Sequence, residues 1–291
     1  MFFLCLLFIS AAASAQQGAG DQWKAVDSAM GRAGQDQPDG THKFAMPRKD
    51  LKITVDGVDV KAGLALGSWA AFREMKQQSE VMGDLVLAED EVSAVIDKLS
   101  AAGIEITALH NHLQHESPRV MYMHIHGQGD GASLAKGLHD AIAQTKTPPA
   151  GAAASQAPEL GIDTKQIDAA LGRPGKNNNG VYQVSVPRAE QVTENGMPIP
   201  NSMGIATGLN FQPTGNGKAA ITGDFVLTAN EVNPVIKALR ENGIMVTAIH
   251  SHMLDEQPRL FFMHFWANDD AVKLAKGLRA AIDKTNSMKA K

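Results

Sequence analysis

Residues 83–145 read GDLVLAEDEVSAVIDKLSAAGIEITALHNHLQHESPRVMYMHIHGQGDGASLAKGLHDAIAQT. Residues 223–285 read GDFVLTANEVNPVIKALRENGIMVTAIHSHMLDEQPRLFFMHFWANDDAVKLAKGLRAAIDKT. The two segments align without a gap, and roughly half of the aligned positions carry the same residue. Since coincidence does not produce a match of this length, the sequence predicts two tandem copies of one domain.

The repeats extend beyond these segments and are separated by a linker. Alanine and proline dominate residues 147–160, a composition typical of a connection between domains. We therefore predict a first repeat domain at residues 21–146 and a second at residues 161–288, both of ordinary domain size. Two shorter upstream matches support the pairing: Asp27–Arg32 with Asp168–Arg173, and Met46–Arg48 with Val186–Arg188.

The hydrophobic pattern of each repeat predicts a mixture of strands and helices. Val92, Val95 and Leu99 recur at helical spacing, and Gly103 follows where helices commonly end. The predicted order is strand, helix, strand, strand, helix, as in ferredoxin-like split units. We expect an α+β fold, with a ferredoxin-like-related domain whose antiparallel sheet has helices packed on one face. The predicted elements of the first repeat are the strand Asp84–Leu87, the helix Glu89–Ala102, the strands Ile104–Leu113 and Arg119–Gly127, and the helix Ala132–Thr145.

Residues 1–15, MFFLCLLFISAAASA, have the character of an export signal. An apolar run is followed by Ala13-Ser14-Ala15, which fits the small-residue pattern of a signal-peptide cleavage site. The run is too short for a permanent membrane span, so we predict a signal peptide, a periplasmic or secreted protein, and no transmembrane segment after cleavage. Because the only cysteine, Cys5, lies in this segment, a metal bound by the mature chain must have nitrogen and oxygen ligands.

The charge distribution argues against a nucleic-acid partner. The net charge is −4 at pH 7, and lysine and arginine are scattered among acidic residues without a basic block. The electrostatic footprint of a nucleic-acid-binding protein is therefore missing. We expect the partner to be an unknown small molecule or a component of the cell envelope.

Histidines are concentrated in the two predicted strands that follow the first long helix. They are His110, His112, His124 and His126 in the first repeat, and His250, His252 and His264 in the second, where Trp266 takes the fourth place. Side chains two residues apart on a strand share a face, and paired strands lie about 4.8 Å apart. The spacing therefore predicts that several imidazoles of one hairpin can reach a single ion.

A glutamate accompanies each histidine pair. Glu116 and Glu256 stand in the turn after the His-x-His motif, and a carboxylate with two or three imidazoles suits a divalent transition metal such as zinc. Such a site leaves a position for water or substrate, so each glutamate is a candidate ligand or general base. The alternative is a polar cluster that holds no ion and whose histidines hydrogen-bond to the backbone.

Four further residues are candidates for substrate binding. Arg119 and Arg259 follow the turn prolines, and each can hold an anionic group or pair with the turn glutamate. Tyr122 and Trp266 add aromatic surface beside the histidines.

The two repeats differ at two positions of the cluster. His126 corresponds to Trp266, and His115 corresponds to Asp255. Because neighbouring groups tune the affinity of a metal site, we expect the two sites to differ. On this basis the first repeat would bind metal more tightly, and the second would be modified for substrate or partner binding.

These motifs resemble those of the LppY/LpqO family, a group of exported bacterial proteins with a domain of unknown function. The motifs are Gly83–Leu87, Thr107–His112, Glu116–Arg119 and Tyr122–Gly127 in the first repeat, and Thr247–His252, Asp255–Arg259 and Phe262–Trp266 in the second. The resemblance covers nearly the whole mature chain and implies a duplicated domain without a known activity. Our first hypothesis is an exported metal-binding protein, with the possibility of a metal-dependent enzyme that acts on an envelope or extracellular substrate. The second is a non-catalytic module that binds a ligand or partner.

Overall fold

The computed structural model of the chain describes residues 22–149 and 157–289. The predicted signal peptide at residues 1–15 lies outside the described residues, as do residues 150–156 of the predicted linker. Within the described ranges, no helix is both long enough and apolar enough to cross a membrane.

Strands form the centre of each repeat. Those of the first repeat are β1 (Gln35–Asp36), β2 (His42–Pro47), β3 (Thr54–Val55), β4 (Val58–Asp59), β5 (Gly67–Glu74), β6 (Ser79–Ala88), β7 (Glu105–His110), β8 (Glu116–Ser117) and β9 (Val120–Gly129). Those of the second repeat are β10 (Lys176–Asn178), β11 (Val181–Pro187), β12 (Thr193–Glu194), β13 (Met197–Pro198), β14 (Ala206–Gly215), β15 (Lys218–Leu227), β16 (Met245–His250), β17 (Glu256–Gln257) and β18 (Phe261–Asp270).

Each repeat assembles a six-stranded antiparallel sheet and a small three-stranded one. The large sheets have the orders β1-β2-β5-β6-β9-β7 and β10-β11-β14-β15-β18-β16, and the small ones are β4-β3-β8 and β13-β12-β17. The helices are α1 (Lys24–Met30), α2 (Ala62–Ala65), α3 (Val92–Ala101) and α4 (Gly131–Ile142), then α5 (Thr164–Leu171), α6 (Ala229–Glu241) and α7 (Ala271–Ile282), with a 3₁₀ turn at Asn201–Met203.

The predicted α+β fold with antiparallel sheets is confirmed. Helix α3 connects β6 to β7, and β9 lies between these two strands and is antiparallel to both. This is the split arrangement that the predicted element order indicated. The same connections recur in the second repeat through β15, α6, β16 and β18.

The two faces of each large sheet have different partners because strand side chains alternate. On β6, the odd-numbered Val81 and Leu85 pack with the helices of the first repeat. The even-numbered Met82 and Val86 belong instead to apolar clusters that include residues of the second repeat. One face of each sheet therefore carries its helices, and the other faces the opposite repeat.

The contact between the repeats is formed by two related apolar clusters. In one, Val55 and Leu64 of the first repeat pack with Ala220 and Trp266 of the second. In the other, the second repeat's segment from Val192 to Ile205 packs against the inner face of the first sheet. The internal duplication therefore produces a pseudo-symmetric pair of domains whose sheets enclose a shared central region.

The arginine at the end of the match between Met46–Arg48 and Val186–Arg188 has a structural role in both repeats. Arg48 is fully buried, and its guanidinium donates to Glu91 and Asp50. Arg188 makes the equivalent contacts with Glu231 and Glu190. Because an isolated buried charge is costly, each buried arginine depends on its two carboxylate partners.

Candidate metal centre

The inner face of each sheet positions the histidines. In the first repeat His110 pairs with Tyr122, and Ala108 pairs with His124. This is the register expected if the turn aligns Leu113 with Arg119, and it makes His110 and His124 diagonal neighbours. Strand β7 ends at His110, so His112 lies in the following loop and not on the strand as predicted.

The histidines of the two repeats meet in three stacked pairs. The ring centroids of His110 and His250 are 3.5 Å apart. Those of His112 and His264, and of His124 and His252, are both 3.6 Å apart. Within the first repeat, the rings of His110 and His124 are 5.1 Å apart. The spacing of the histidines predicted a separate site in each repeat, whereas the folded chain brings six imidazoles together at one place.

The Nε2 atoms of these rings have no hydrogen-bond partner within the protein. The Nε2 atoms of all six histidines are buried and lack a hydrogen bond. The Nδ1 atom of His264 lies 2.8 Å from the carbonyl oxygen of Gly223, an arrangement that makes Nδ1 the protonated nitrogen. Nε2 then carries a lone pair directed into the cluster. A hydrogen bond that fixes the tautomer in this way is common in histidines that ligate a metal.

Burial also keeps these imidazoles neutral. It lowers the pKa of His110 to about 4 and that of His250 to about 3. The pKa values of the other four lie well below the usual range, with burial as the main cause and neighbouring histidines as a further one. Neutral imidazole is the form that binds a metal ion.

Two aspartates that the sequence analysis missed complete the cluster. Asp84 pairs with His124 across the sheet, and Asp224 pairs with His264. Asp224 Oδ2 lies 3.4 Å from His252 Nε2, and its Oδ1 lies 3.9 Å from His264 Nε2. One oxygen of each aspartate is buried without a hydrogen bond. The missed signal was a Gly-Asp pair recurring in both repeats within strands that are otherwise mostly apolar.

The glycine of each pair allows a close approach between strands. A Cβ at Gly83 would lie 2.7 Å from the carbonyl oxygen of Trp69, and one at Gly223 would lie 1.9 Å from that of Gly208.

Burial raises the pKa of Asp84 to about 8, although the charge of Lys43 opposes the shift. Burial and then the charge of Asp84 raise the pKa of Asp224 well above its usual range. A cation between these carboxyl groups would reverse both shifts.

Four groups of potential ligand atoms occupy the centre, and the atoms of each lie within 4.8 Å of one another. Two groups combine the repeats, and two contain an aspartate with two histidines of its own repeat. The groups are His110/His112/His250/His264, His110/His124/His250/His252, Asp84/His112/His124 and Asp224/His252/His264. Each four-histidine group shares a residue with every other group, whereas the two aspartate groups share none and can be filled together.

A cavity of about 1300 Å³ lies between the repeats and reaches this cluster. Its wall includes all six members of the two aspartate groups, but neither His110 nor His250. Lys43 also lines the cavity, with its ammonium 4.0 Å from the centre of the Trp69 ring. The aspartate groups therefore face a space large enough for a small molecule.

Glu116 and Glu256 lie outside the groups of close ligand atoms at the centre, and their role as ligand or general base stays a prediction. Among the described residues, no group of close ligand atoms contains either glutamate. Glu116 accepts hydrogen bonds from the Asn111 side chain and the Val120 amide, and Glu256 accepts one from the Leu260 amide. Each carboxylate thus binds its own loop, with Glu116 Oε2 left buried without a partner, and the carboxylates grouped with the imidazoles are those of Asp84 and Asp224.

The candidate substrate residues lie in different surroundings. Arg119 and Arg259 are exposed, and Arg259 pairs with Glu256, one of the two predicted alternatives. Tyr122 stacks on His112 with ring centroids 3.4 Å apart and lines the cavity. Trp266 is buried in the apolar contact between the repeats and is not among the residues that line the cavity.

His126 lies outside the central cluster, which corrects its predicted place among those ligands. It shares a sheet face with His124, but its Nε2 lies 3.1 Å from Glu80 Oε1 and 3.8 Å from Glu194 Oε2. Two residues along a strand correspond to about 6.6 Å, so the ring reaches different neighbours. The predicted contrast between His126 and Trp266 therefore concerns a separate part of the contact between the repeats.

The comparisons with known proteins identify the family. A family model described as Domain of Unknown Function (DUF1259) matches residues 24–144 and 165–284. The chain belongs to this family and contains two copies of its domain. No curated protein matches the chain in sequence.

Several solved structures show a weak likeness to the chain. One is a trimeric bacterial microcompartment shell protein, PduB, with 12% identity and a TM-score of 0.22, over 86% of this chain and 89% of that chain. The double-ringed trimeric shell protein MSM0271 of the RMM microcompartment has 10% identity and a TM-score of 0.21, over 86% and 96%. EtuB from Clostridium kluyveri has 11% identity and a TM-score of 0.20, over 86% and 90%. Scores this low carry no argument about fold or function.

Proposed function

We propose that this chain is a metal-binding protein whose two repeats together hold two divalent transition-metal ions, with zinc as the first candidate. One observation carries the proposal: six histidine Nε2 atoms and two aspartate Oδ1 atoms are buried in one cluster without hydrogen-bond partners. Each such atom costs about 1–3 kcal/mol when it is left unsatisfied. Two ions bound by the aspartate groups would give ligand roles to four of the six imidazoles and to both aspartates, because imidazole nitrogen and carboxylate oxygen are ordinary zinc ligands.

The number of ions follows from how the donors can be shared. One imidazole nitrogen binds one ion, so a four-histidine group accommodates a single ion and excludes the other groups. The two aspartate groups can hold one ion each at the same time. We favour the second assignment because the members of these two groups line the cavity, whereas His110 and His250 do not. Two histidines and one carboxylate leave positions open for water or substrate.

These open positions support a metal-dependent enzyme that acts on a small molecule in the cavity. A bound divalent ion would polarise an oxygen of the substrate or lower the pKa of a bound water. The chain's own contribution is to hold the donors, and Lys43 and Trp69 supply a cation and an aromatic surface on the same wall. A non-catalytic module that binds a ligand in this cavity is the second candidate.

Metal analysis of protein purified without a histidine tag tests the proposal. The matched variant combines His112→Ala with His252→Ala, which removes one donor from each of the four groups. We expect tightly bound transition metal at the cluster in the parent protein and its loss in the variant. Equal metal content in both proteins would overturn the proposal. Absence of metal from the parent, even after incubation with Zn²⁺, would favour the non-catalytic module.

The cellular location and the narrower family assignment are also proposals. The export signal at residues 1–15 supports a periplasmic or secreted protein that meets an envelope or extracellular substrate. The motifs quoted above support a place among LppY/LpqO proteins. Amino-terminal sequencing of protein recovered from the periplasm or the medium should begin at Gln16, and an intact start at Met1 in the cytoplasm would contradict export.

A further inference from the structure

The contact between the repeats has two ends that correspond through the internal duplication. The apolar end consists of Val55, Ala220, Met245 and Trp266, all within or packed against one hydrophobic cluster. The ionisable end consists of the matching residues Glu194, Glu80, Glu105 and His126. Val55 and Glu194 correspond because they pair with the equivalent residues Glu116 and Glu256. Four apolar side chains at one end are thus matched by one imidazole and three carboxylates at the other.

Three of these ionisable groups converge below the surface. Glu80 and Glu194 are almost fully buried, at 0% and 3% exposure. One oxygen of each carboxylate and a ring nitrogen of His126 lie within 4.8 Å of one another. Glu194 Oε2 lies 3.8 Å from His126 Nε2 and has no hydrogen-bond partner. A buried carboxylate oxygen without a donor is costly, and a cation bound between Glu194 Oε2 and the imidazole would remove that cost.

We propose that Glu80, His126 and Glu194 form an additional binding site for a divalent transition-metal ion of the zinc class, separate from the central cluster. The ion would lie between His126 Nε2, Glu80 Oε1 and Glu194 Oε2. One imidazole and two carboxylates are an ordinary ligand set for such an ion. The site is absent at the apolar end, where the same positions hold Trp266, Ala220 and Val55.

The groups around these three side chains are placed to orient them. His126 Nδ1 lies 3.5 Å from Glu105 Oε2, so a proton on Nδ1 can be shared with a carboxylate while Nε2 faces the ion. Metal-binding histidines commonly have such a partner. Arg73 contacts Glu80 Oε2, and Gln128 donates to Glu80 Oε1 at 3.1 Å. The Glu80 carboxylate is therefore held with Oε1 toward the imidazole.

The surrounding charge also favours a cation. Burial raises the pKa of Glu194, the charge of His126 opposes the shift, and the carboxylates of Glu80, Glu256 and Asp255 add to it. Arg73 is the cation paired with Glu80, and Arg259 is paired with Glu256. The acidic groups outnumber the basic ones, and a divalent ion would neutralise the excess.

The chain supplies its own matched control for the test. A variant with Glu80→Ala, His126→Trp and Glu194→Val places the residues of the apolar end at the ionisable end. The tag-free full chain and this variant are stripped with a chelator and titrated with Zn²⁺, and the bound ions per chain are counted by equilibrium dialysis. We expect the variant to bind one ion fewer than the parent chain, whatever the central cluster binds.

The counts separate this inference from the proposed function. Three ions falling to two support both, and one ion falling to none supports this site while removing the central one. Two ions in both proteins would overturn this site and keep the central one. Because the triple variant can fail to fold, Glu105→Gln serves as a second test at an exposed residue. It should weaken binding of one ion by about 10–100-fold. Unchanged Zn²⁺ binding by a folded Glu105→Gln protein would contradict the proposal.

Discussion

The centre of the contact between the repeats and its two ends differ in how closely the repeats agree. At the centre both repeats supply the same residues, three histidines and one aspartate each. At the ends, four pairs of equivalent positions have an apolar residue at one end and an ionisable residue at the other. The four-histidine groups draw on both repeats, so a change in either repeat alters the whole cluster. Each end depends on its own local contacts, and one end can therefore change while the other is kept.

The largest expected effect is a difference in stability between substitutions at the apolar end and at the ionisable end. Trp266 is buried at the apolar end, and Trp266→Ala should lower the free energy of unfolding by about 3–5 kcal/mol. The equivalent change, His126→Ala, removes a hydrogen-bonding ring and should cost only about 1–3 kcal/mol in metal-free buffer. Urea denaturation of both variants measures the two values. Equal losses would mean that the ends do not differ in how they stabilise the contact.

The second largest expected effect is the loss of thermal stability when metal is removed from the central cluster. An ion that binds only the folded protein stabilises it by about 2.7 kcal/mol when its free concentration is one hundred times the dissociation constant. Addition of a chelator should therefore lower the thermal midpoint. The variant with His112→Ala and His252→Ala should lose the part of this response that comes from the central cluster and keep only the part from the separate Glu80/His126/Glu194 site, whereas Arg119→Ala, at an exposed residue outside the ligand groups, should keep all of it.

The pH dependence of the metal-free protein should reflect the opposed shifts at the centre. The six histidines have folded pKa values below 6.5, so the unfolded chain binds more protons and stability is lost as the pH falls below 6.5. Asp84, with a pKa of about 8, holds its proton in the folded state, so stability is also lost as the pH rises toward 8.

We therefore expect the unfolding free energy of the metal-free protein to peak near pH 7. Zn²⁺ should remove the decline toward pH 8, because carboxylates that bind a metal are already ionised. Denaturation curves between pH 5 and pH 8, with and without Zn²⁺, measure this. A stability that rises steadily through pH 8 without metal would contradict the burial of protonated aspartates.

The smallest expected difference is between equivalent residues of the two repeats at the centre. His110 and His250 stack on each other and occur together in both four-histidine groups. His110→Ala and His250→Ala should therefore change Zn²⁺ affinity by similar factors in parallel titrations. The expectation that the first repeat binds metal more tightly rested on His126 against Trp266 and His115 against Asp255, and of these His126 lies outside the central cluster. A difference above about tenfold would restore the case for specialised repeats.

Most of the fold could be predicted because its determinants are local. The helical spacing of Val92, Val95 and Leu99 and the order of the strands are read from neighbouring residues, and the second repeat shows the same pattern again. These features depend on periodicity and turn geometry, which a single repeat contains in full.

The site was predicted less completely because it depends on distant parts of the chain. Nothing within one repeat shows that His110 stacks on His250, since the contact arises only when two sheets pack together. The spacing of Glu116 suggested a metal ligand, but this carboxylate accepts a hydrogen bond from the backbone amide of Val120 in the same loop. Asp84 was missed because it stands in an apolar strand, where its recurrence as Asp224 was the available clue.

Anomalous diffraction at the zinc edge, from crystals of tag-free protein grown with Zn²⁺, would show directly how many ions the central cluster holds and where they lie. The account predicts two peaks at the central cluster, one between Asp84, His112 and His124 and the other between Asp224, His252 and His264. A single peak beside the stacked rings of His110 and His250 would replace two open sites with one four-imidazole site. The absence of any peak among the six histidines would contradict the account.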